Sequence, residues 1–220
     1  MLKLYGFAVS NYFNMVKHAM LYKGLQFDEV TTFPGADPAY INKSPMGKVP
    51  CIETAQGCLT ETSVILNYLE AAYPEKPLLP TDAFQRAKVN EIMKVAELYI
   101  ELPARRLFPE VLAGKVVSDA IKAESRETLS KGCKALAALV QLPNSPYVAG
   151  ENMTMADIVL RYALITASMS AKAIYSWDLV AEVPGMADWN KRMAELEIST
   201  QLDKASQEGM AAFLQAVKGK

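Results

Sequence analysis

Hydrophobic positions along the chain change period once. Before Tyr73, short alternating runs are interleaved with helical stripes; from Asp82 onward only the helical spacing remains. Leu2 to Phe7 alternates and predicts a first strand. Ser10-Asn11 then caps a helix with apolar positions at Phe13, Val16, Ala19, Met20 and Tyr22, closed by Gly24. Gln26 to Thr32 predicts a second strand, and a strand-helix-strand of this length implies parallel pairing through a right-handed crossover. Pro34, Gly35 and Pro38 mark a loop, with a short helical turn at Ala39 to Asn42. Gly47-Lys48-Val49-Pro50 opens an apolar strand, a hairpin turns at Gln56-Gly57, and Leu59 lies on the return strand. Glu61-Thr62 begins a helix, because Val64, Ile65, Tyr68 and Leu69 recur at helical spacing.

The run PEKPLLP, from Pro74 to Pro80, is the clearest boundary signal in the chain. Beyond it, Asp82 to Leu102 reads as a helix with Val89, Ile92, Met93, Ala96, Tyr99 and Ile100 on its apolar side, kinked or ended by Pro103 and Pro109. Val116 to Val140 reads as another, closed by Pro143 and Pro146. Thr154 to Asp157 has the hydroxyl-x-x-acid form of a capping box before Ile158, Leu160, Leu164 and Ile165, so Asp157 is expected to bond backbone amides. A further helix is expected from Pro184, with Trp189 turned inward, and a last one over Gln201 to Val217. No repeat or low-complexity tract interrupts this order.

Composition narrows the function more than the fold. The chain has 220 residues, 51% hydrophobic and 21% charged, ordinary for a globular protein with a sizeable core. Its net charge of −1 supplies no basic field for nucleic acid or an anionic membrane, so neither partner is expected. The start, MLKLYGF, resembles neither a signal peptide nor a membrane span, and a cytoplasmic location is expected. Cys51, Cys58 and Cys133 contain no C-x-x-C and fit reduced thiols. Cys51 and Cys58 either face one another across the hairpin or are two small buried apolar residues. The single His18 argues against His-based metal and Ser-His catalytic sites, and no metal is expected.

From Ser44 to Glu70 the chain resembles the glutathione-site half of a glutathione S-transferase N-terminal domain, whose pattern is N-x-x-G-K-V-P, a hairpin, then E-S-x-A-I-x-x-Y-L. The matching residues are Gly47, Lys48, Val49, Pro50, Glu61, Thr62, Val64, Ile65, Tyr68 and Leu69, with Thr62 in place of Ser and Val64 in place of Ala. The Thr154-x-x-Asp157 cap resembles that of the buried helix in the second domain of the same family, so the likeness runs through nearly the whole chain. It implies an α+β/α fold: a thioredoxin-like domain over residues 1–75, a linker over 76–81 and an all-helical C-terminal domain over 82–220. It also implies a cis peptide bond before Pro50.

The same resemblance implies a cytosolic, bacterial enzyme of the theta-like serine branch, with glutathione as co-substrate. The expected reaction is attack of the glutathione thiolate on small hydrophobic electrophiles in detoxification, by a homodimer. Ser10, in LYGFAVSNYFNMVK, is the expected catalytic residue: it sits where a hydroxyl donor and a helix N-terminus both favour the thiolate. Ser10 is equally suited to cap the helix, with Asn11 an alternative cap, and the two roles are compatible. Tyr5 is the rival thiol donor and also a good core strand residue. Tyr12 and Asn14 are placed to line the pocket mouth.

Glutathione binding is assigned by matching positions to Lys48, Val49, Pro50, Glu61 and Thr62. Val49 would pair its backbone with the tripeptide, while Glu61 and Thr62 would hold the γ-glutamyl end. Lys48 either reaches the glycine carboxylate or is a solvated surface lysine. The electrophile is expected between the domains, near Phe7, Tyr99, Arg105, Arg106 and Phe108. The chain lacks a cysteine between Ser10 and Phe13 and lacks the zeta-branch S-S-C-x-W-R pattern, which argues against thiol-disulfide exchange and against an isomerase of that type. The alternatives are a glutathione-dependent peroxidase or dehalogenase, and a non-catalytic binding or protein-interaction module of the same fold.

Overall fold

In a computed structural model of the protein, residues 1–218 are described. Four strands form one sheet in the order β2-β1-β3-β4: β1 (Leu2–Gly6), β2 (Phe27–Thr31), β3 (Cys51–Thr54) and β4 (Gly57–Thr60). β1 and β2 run parallel, as the crossover through α1 (Asn11–Tyr22) predicts, whereas β3 is antiparallel to both β1 and β4. Side chains alternate between the two faces. Leu2, Leu4 and Ile52 pack with Phe13, Val16 and Met20 of α1 and with Ile65 and Leu69 of α3 (Thr62–Ala72). Tyr5 and Cys51 pack on the other side with Tyr40 of α2 (Pro38–Ile41), where Cys58 joins them. The two thiols therefore share an apolar face as free cysteines. Burial pushes the Cys51 thiol up to about 12. This is the thioredoxin-like arrangement expected of the first part of the chain.

The remainder is helical, with one departure from the expected pattern. The predicted helix over Asp82 to Leu102 is α4 (Ala83–Val95), then a π-helical stretch over Ala96–Glu101, then α5 (Leu102–Arg105). Pro103 does not end it. A proline ring collides with the carbonyl of the fourth residue before it, here Tyr99, and widening the preceding turns relieves that collision. α6 (Phe108–Ala113) carries Pro109 in its first turn and ends on left-handed Gly114. α7 (Asp119–Leu139), α8 (Met155–Tyr175), α9 (Met186–Glu195) and α10 (Glu197–Lys218) complete the chain. α9 begins two residues after the expected Pro184, and α10 begins four before the expected Gln201. Among the described residues no helix is long and apolar enough to cross a membrane.

The chain divides into two compact units. One comprises Met1–Leu78 with Glu197–Met210; the other comprises Leu79–Leu196 with the chain from Ala211 onward. Each unit is fixed by a buried carboxylate. In the second, Asp157 accepts from Val148 N at 2.9 Å, Thr154 N at 2.8 Å, Thr154 Oγ1 at 3.0 Å and Trp189 Nε1 at 2.9 Å. The expected capping box is thus formed in both directions, and the fully buried Trp189 is bound into it. Burial raises the Asp157 carboxyl, and the bonds to Val148 and Thr154 amides lead the opposing pull.

In the first unit, Lys23 at the end of α1 pairs with Glu70 of α3 at 2.7 Å, both side chains almost wholly buried. Lys23 Nζ also donates to Tyr73 O and Lys76 O, each at 2.9 Å, and Glu70 accepts Leu78 N–H at 3.0 Å. The proline-rich segment is therefore pinned by its own backbone groups to a buried ion pair. Lys23→Met strands the Glu70 charge in the interior and should cost about 3–5 kcal/mol in urea unfolding. A loss below ~1 kcal/mol would show that water replaces the lysine.

Candidate functional site

The sheet register brings three loops to one end. Tyr5 lies opposite Cys51, and Cys51 opposite Thr60, so the next step along each strand places Gly6, Pro50 and Glu61 side by side. Ser10 follows the end of β1, Val49 precedes the start of β3, and Thr62 follows the end of β4. The N-termini of α1 and α3 consequently open at the same edge, where the helix dipoles favour negative charge. The approach to Val49 depends on Gly47. Its φ is 60°, and a Cβ there would stand 2.2 Å from Gly35 O, while the Gly35 N–H donates to Gly47 O at 3.0 Å. The Val49–Pro50 peptide is cis, as the resemblance implies. Tyr40 Oη and Ser44 Oγ both donate to Lys48 O at 2.8 Å, fixing the backbone just before it.

Ser10 is half-buried and caps α1: its Oγ accepts Phe13 N–H at 3.3 Å while its own N–H donates to Phe7 O at 3.0 Å. That cap uses a lone pair and leaves the hydroxyl hydrogen without an acceptor among the described residues. Asn14, expected at the pocket mouth, is instead buried, and its amide donates to Ala8 O at 2.8 Å, so it supports the Ser10 loop from beneath. Tyr5 is committed elsewhere. Its hydroxyl donates to Glu53 Oε2 at 2.6 Å on the α2-covered face, and burial first, then that bond, raises its pKa.

Around the same edge several polar groups have no protein partner among the described residues: the Val49 N–H and C=O, the Thr62 N–H and hydroxyl, the Glu61 carboxylate and the Lys48 ammonium. Pro50 carries no N–H, so the ladder ends there and Val49 is left unpaired. Glu61 precedes α3 with φ 65°, a conformation L-residues rarely adopt, and its side chain makes no cap bond.

Asn14, Tyr40 and Ser44 were not found as supports from sequence, because no local spacing marks a contact made across a loop.

In the second unit, Arg105 is bound to the buried Glu101 through Nε at 2.8 Å and through Nη2, and its guanidinium lies 4.9 Å from the Phe108 ring. Arg106 pairs with Glu124 at 2.9 Å, and Tyr99 is exposed. Both arginines line a groove of about 540 Å³ with Leu98, Leu102, Pro103, Glu124 and Thr128. Among the described residues no group of three or more His, Cys, Asp or Glu side chains is placed to hold a metal ion.

Comparison with known proteins bears on the family and the fold. The family profile described as Glutathione S-transferase, N-terminal domain, matches residues 4–77. A glutathione S-transferase of Pseudomonas putida is 42% identical over 218 residues, covering 99% of this chain and 98% of the relative. A probable maleylacetoacetate isomerase of Drosophila melanogaster is 30% identical over 121 residues, 55% of this chain and 52% of its own. Among solved structures, a glutathione transferase homologue from Drosophila mojavensis with bound glutathione superposes at a TM-score of 0.77, with 24% identity, over 100% of this chain and 97% of that one.

Glu53 gathers Lys43 at 2.5 Å, Tyr5 and Lys3 at 3.3 Å, and the Lys43 bond, then the Tyr5 bond, lowers its pKa to about 2. A carboxylate depressed on folding contributes stability above its unfolded pKa and loses it as pH falls to the folded value. Glu53→Gln should therefore flatten the fall in thermal midpoint between about pH 4.5 and about 2. Parallel acid limbs for variant and wild type would remove Glu53 from acid unfolding.

Proposed function

The chain belongs to the glutathione S-transferase family, and we propose that it activates glutathione with Ser10 for attack on small hydrophobic electrophiles. The observation that supports this best is the set of unpartnered groups at one sheet edge, which match those of the tripeptide in kind. Val49 offers one donor and one acceptor to the central peptide, as an added strand requires. Glu61 suits the γ-glutamyl ammonium, and the Thr62 hydroxyl and amide suit its carboxylate at a helix N-terminus. Lys48 suits the glycine carboxylate. A tripeptide so laid brings its sulfur to the α1 N-terminus, where the Ser10 hydroxyl donates to it.

The thiol chemistry is a matter of about two pKa units. A free thiol near pKa ~8.5 is only slightly ionised at neutral pH, and a drop of about two units makes it mostly thiolate. One hydroxyl bond together with the α1 N-terminus supplies a stabilisation of that order. Tyr5 is set aside because its proton is held by Glu53. The same donors serve peroxide reduction, dehalogenation or glutathione-dependent isomerisation, the last favoured by the isomerase among the relatives. The intact donor set favours turnover over a purely binding role, and the family setting favours a cytoplasmic homodimer engaged in detoxification.

Two variants test the assignment. Ser10→Ala should raise the pKa of bound glutathione, read as thiolate absorbance against pH, and slow conjugation at neutral pH; an unchanged profile would take Ser10 out of the reaction. Glu61→Ala should weaken glutathione by about 1–3 kcal/mol in calorimetry. Equal affinity would refute the placement of the γ-glutamyl end.

A further inference from the structure

We propose that Phe33 is a specificity-determining residue of this site, selecting electrophiles that carry a flat aromatic ring. The inference rests on the transferase reading above and adds the substrate class. Phe33 lies between β2 and α2 with 55% of its surface exposed. A single exposed apolar side chain means little by itself. This one, however, is stacked on Phe7, with ring centroids 4.9 Å apart and planes tilted by 34°, so one edge is supported and its outer face is open.

Backbone bonds set that pair beside the Ser10 hydroxyl. Thr32 N–H, immediately before Phe33, donates to Gly6 O at 2.9 Å, which ties the loop to the end of β1. Phe7 O receives the Ser10 N–H, so the residue under the Phe33 ring is the one that holds Ser10. On the far side of Ser10, Val9 is covered by α10 at Gly209, where an added Cβ would stand only 3.3 Å from Val9 Cγ2.

The residues that these bonds and contacts bring to the Ser10 loop, Phe7, Val9 and Phe33, carry no charge. A substituent projecting from the glutathione sulfur meets the open Phe33 face. A planar ring gains a stacking contact there that an alkyl chain of similar size does not.

The test compares two stable thioether ligands that share the tripeptide, S-benzylglutathione and S-propylglutathione, by calorimetry with the full chain. Wild type should favour the benzyl ligand. Phe33→Ala should bind it roughly three- to tenfold more weakly, with affinities for glutathione and S-propylglutathione unchanged. Phe33→Tyr, which keeps a ring, should restore the preference. Equal benzyl affinity in wild type and Phe33→Ala, or an equal loss of all three ligands, would overturn the assignment while leaving glutathione binding intact. A wild type that binds none of the three would overturn the transferase reading and this inference together.

Discussion

The position of β3 between β1 and β4 is the constraint from which the site follows. Its antiparallel ladder consumes backbone groups on both sides as far as Cys51 and stops at Pro50, which has no N–H to give. Val49 is thereby left with a free donor and acceptor at the edge where β1 and β4 also end. Two helices start from that same edge, so the N-terminal dipoles of α1 and α3 act there together. A protein edge of this kind is costly to leave exposed unless a ligand or water satisfies it.

Two side chains that resemble one another in sequence are separated by this arrangement. Tyr5 and Ser10 are both hydroxyl donors near the end of β1. Tyr5 points to the face occupied by α2 and Glu53, and its proton is bound there at 2.6 Å. Ser10 stands beyond the strand, accepts a cap bond and keeps its proton. The lowered pKa of Glu53 and, after burial, the raised pKa of Tyr5 both reflect one polar cluster, distinct from the sheet edge.

Each unit also contains one buried carboxylate whose bonds reach across chain segments. Glu70 with Lys23 holds the proline-rich run from Tyr73 to Leu78, and Asp157 joins the start of α8 to Val148 and Trp189. Burying such groups is unfavourable until every lone pair is used, so they act as all-or-none fasteners. Phe33 has no such fastener among the described residues: its ring stacks on Phe7, and the residue before it bonds Gly6 O.

Much of this was legible from residue order alone. Alternation over Leu2 to Phe7 and helical spacing after Ser10 depend only on local backbone geometry, and so does the Thr154–Asp157 box. The G-K-V-P turn with Glu61-Thr62 also identified the family, because turn chemistry and caps are local. Other features depend on which distant groups meet. Pro103 widens a helix instead of ending it, a difference carried by hydrogen-bond partners and invisible to side-chain periodicity. Asn14 turns under the Ser10 loop, Glu53 captures Tyr5, Gly47 must avoid Gly35 O, and Phe33 stacks on Phe7. The sequence determined the elements and the residue types at the site, since both follow from neighbours in the chain. Only the tertiary structure decided which hydroxyl was left with no acceptor for its hydrogen and which backbone groups stayed unpaired, because hydrogen bonds are allotted by competition among groups far apart in sequence.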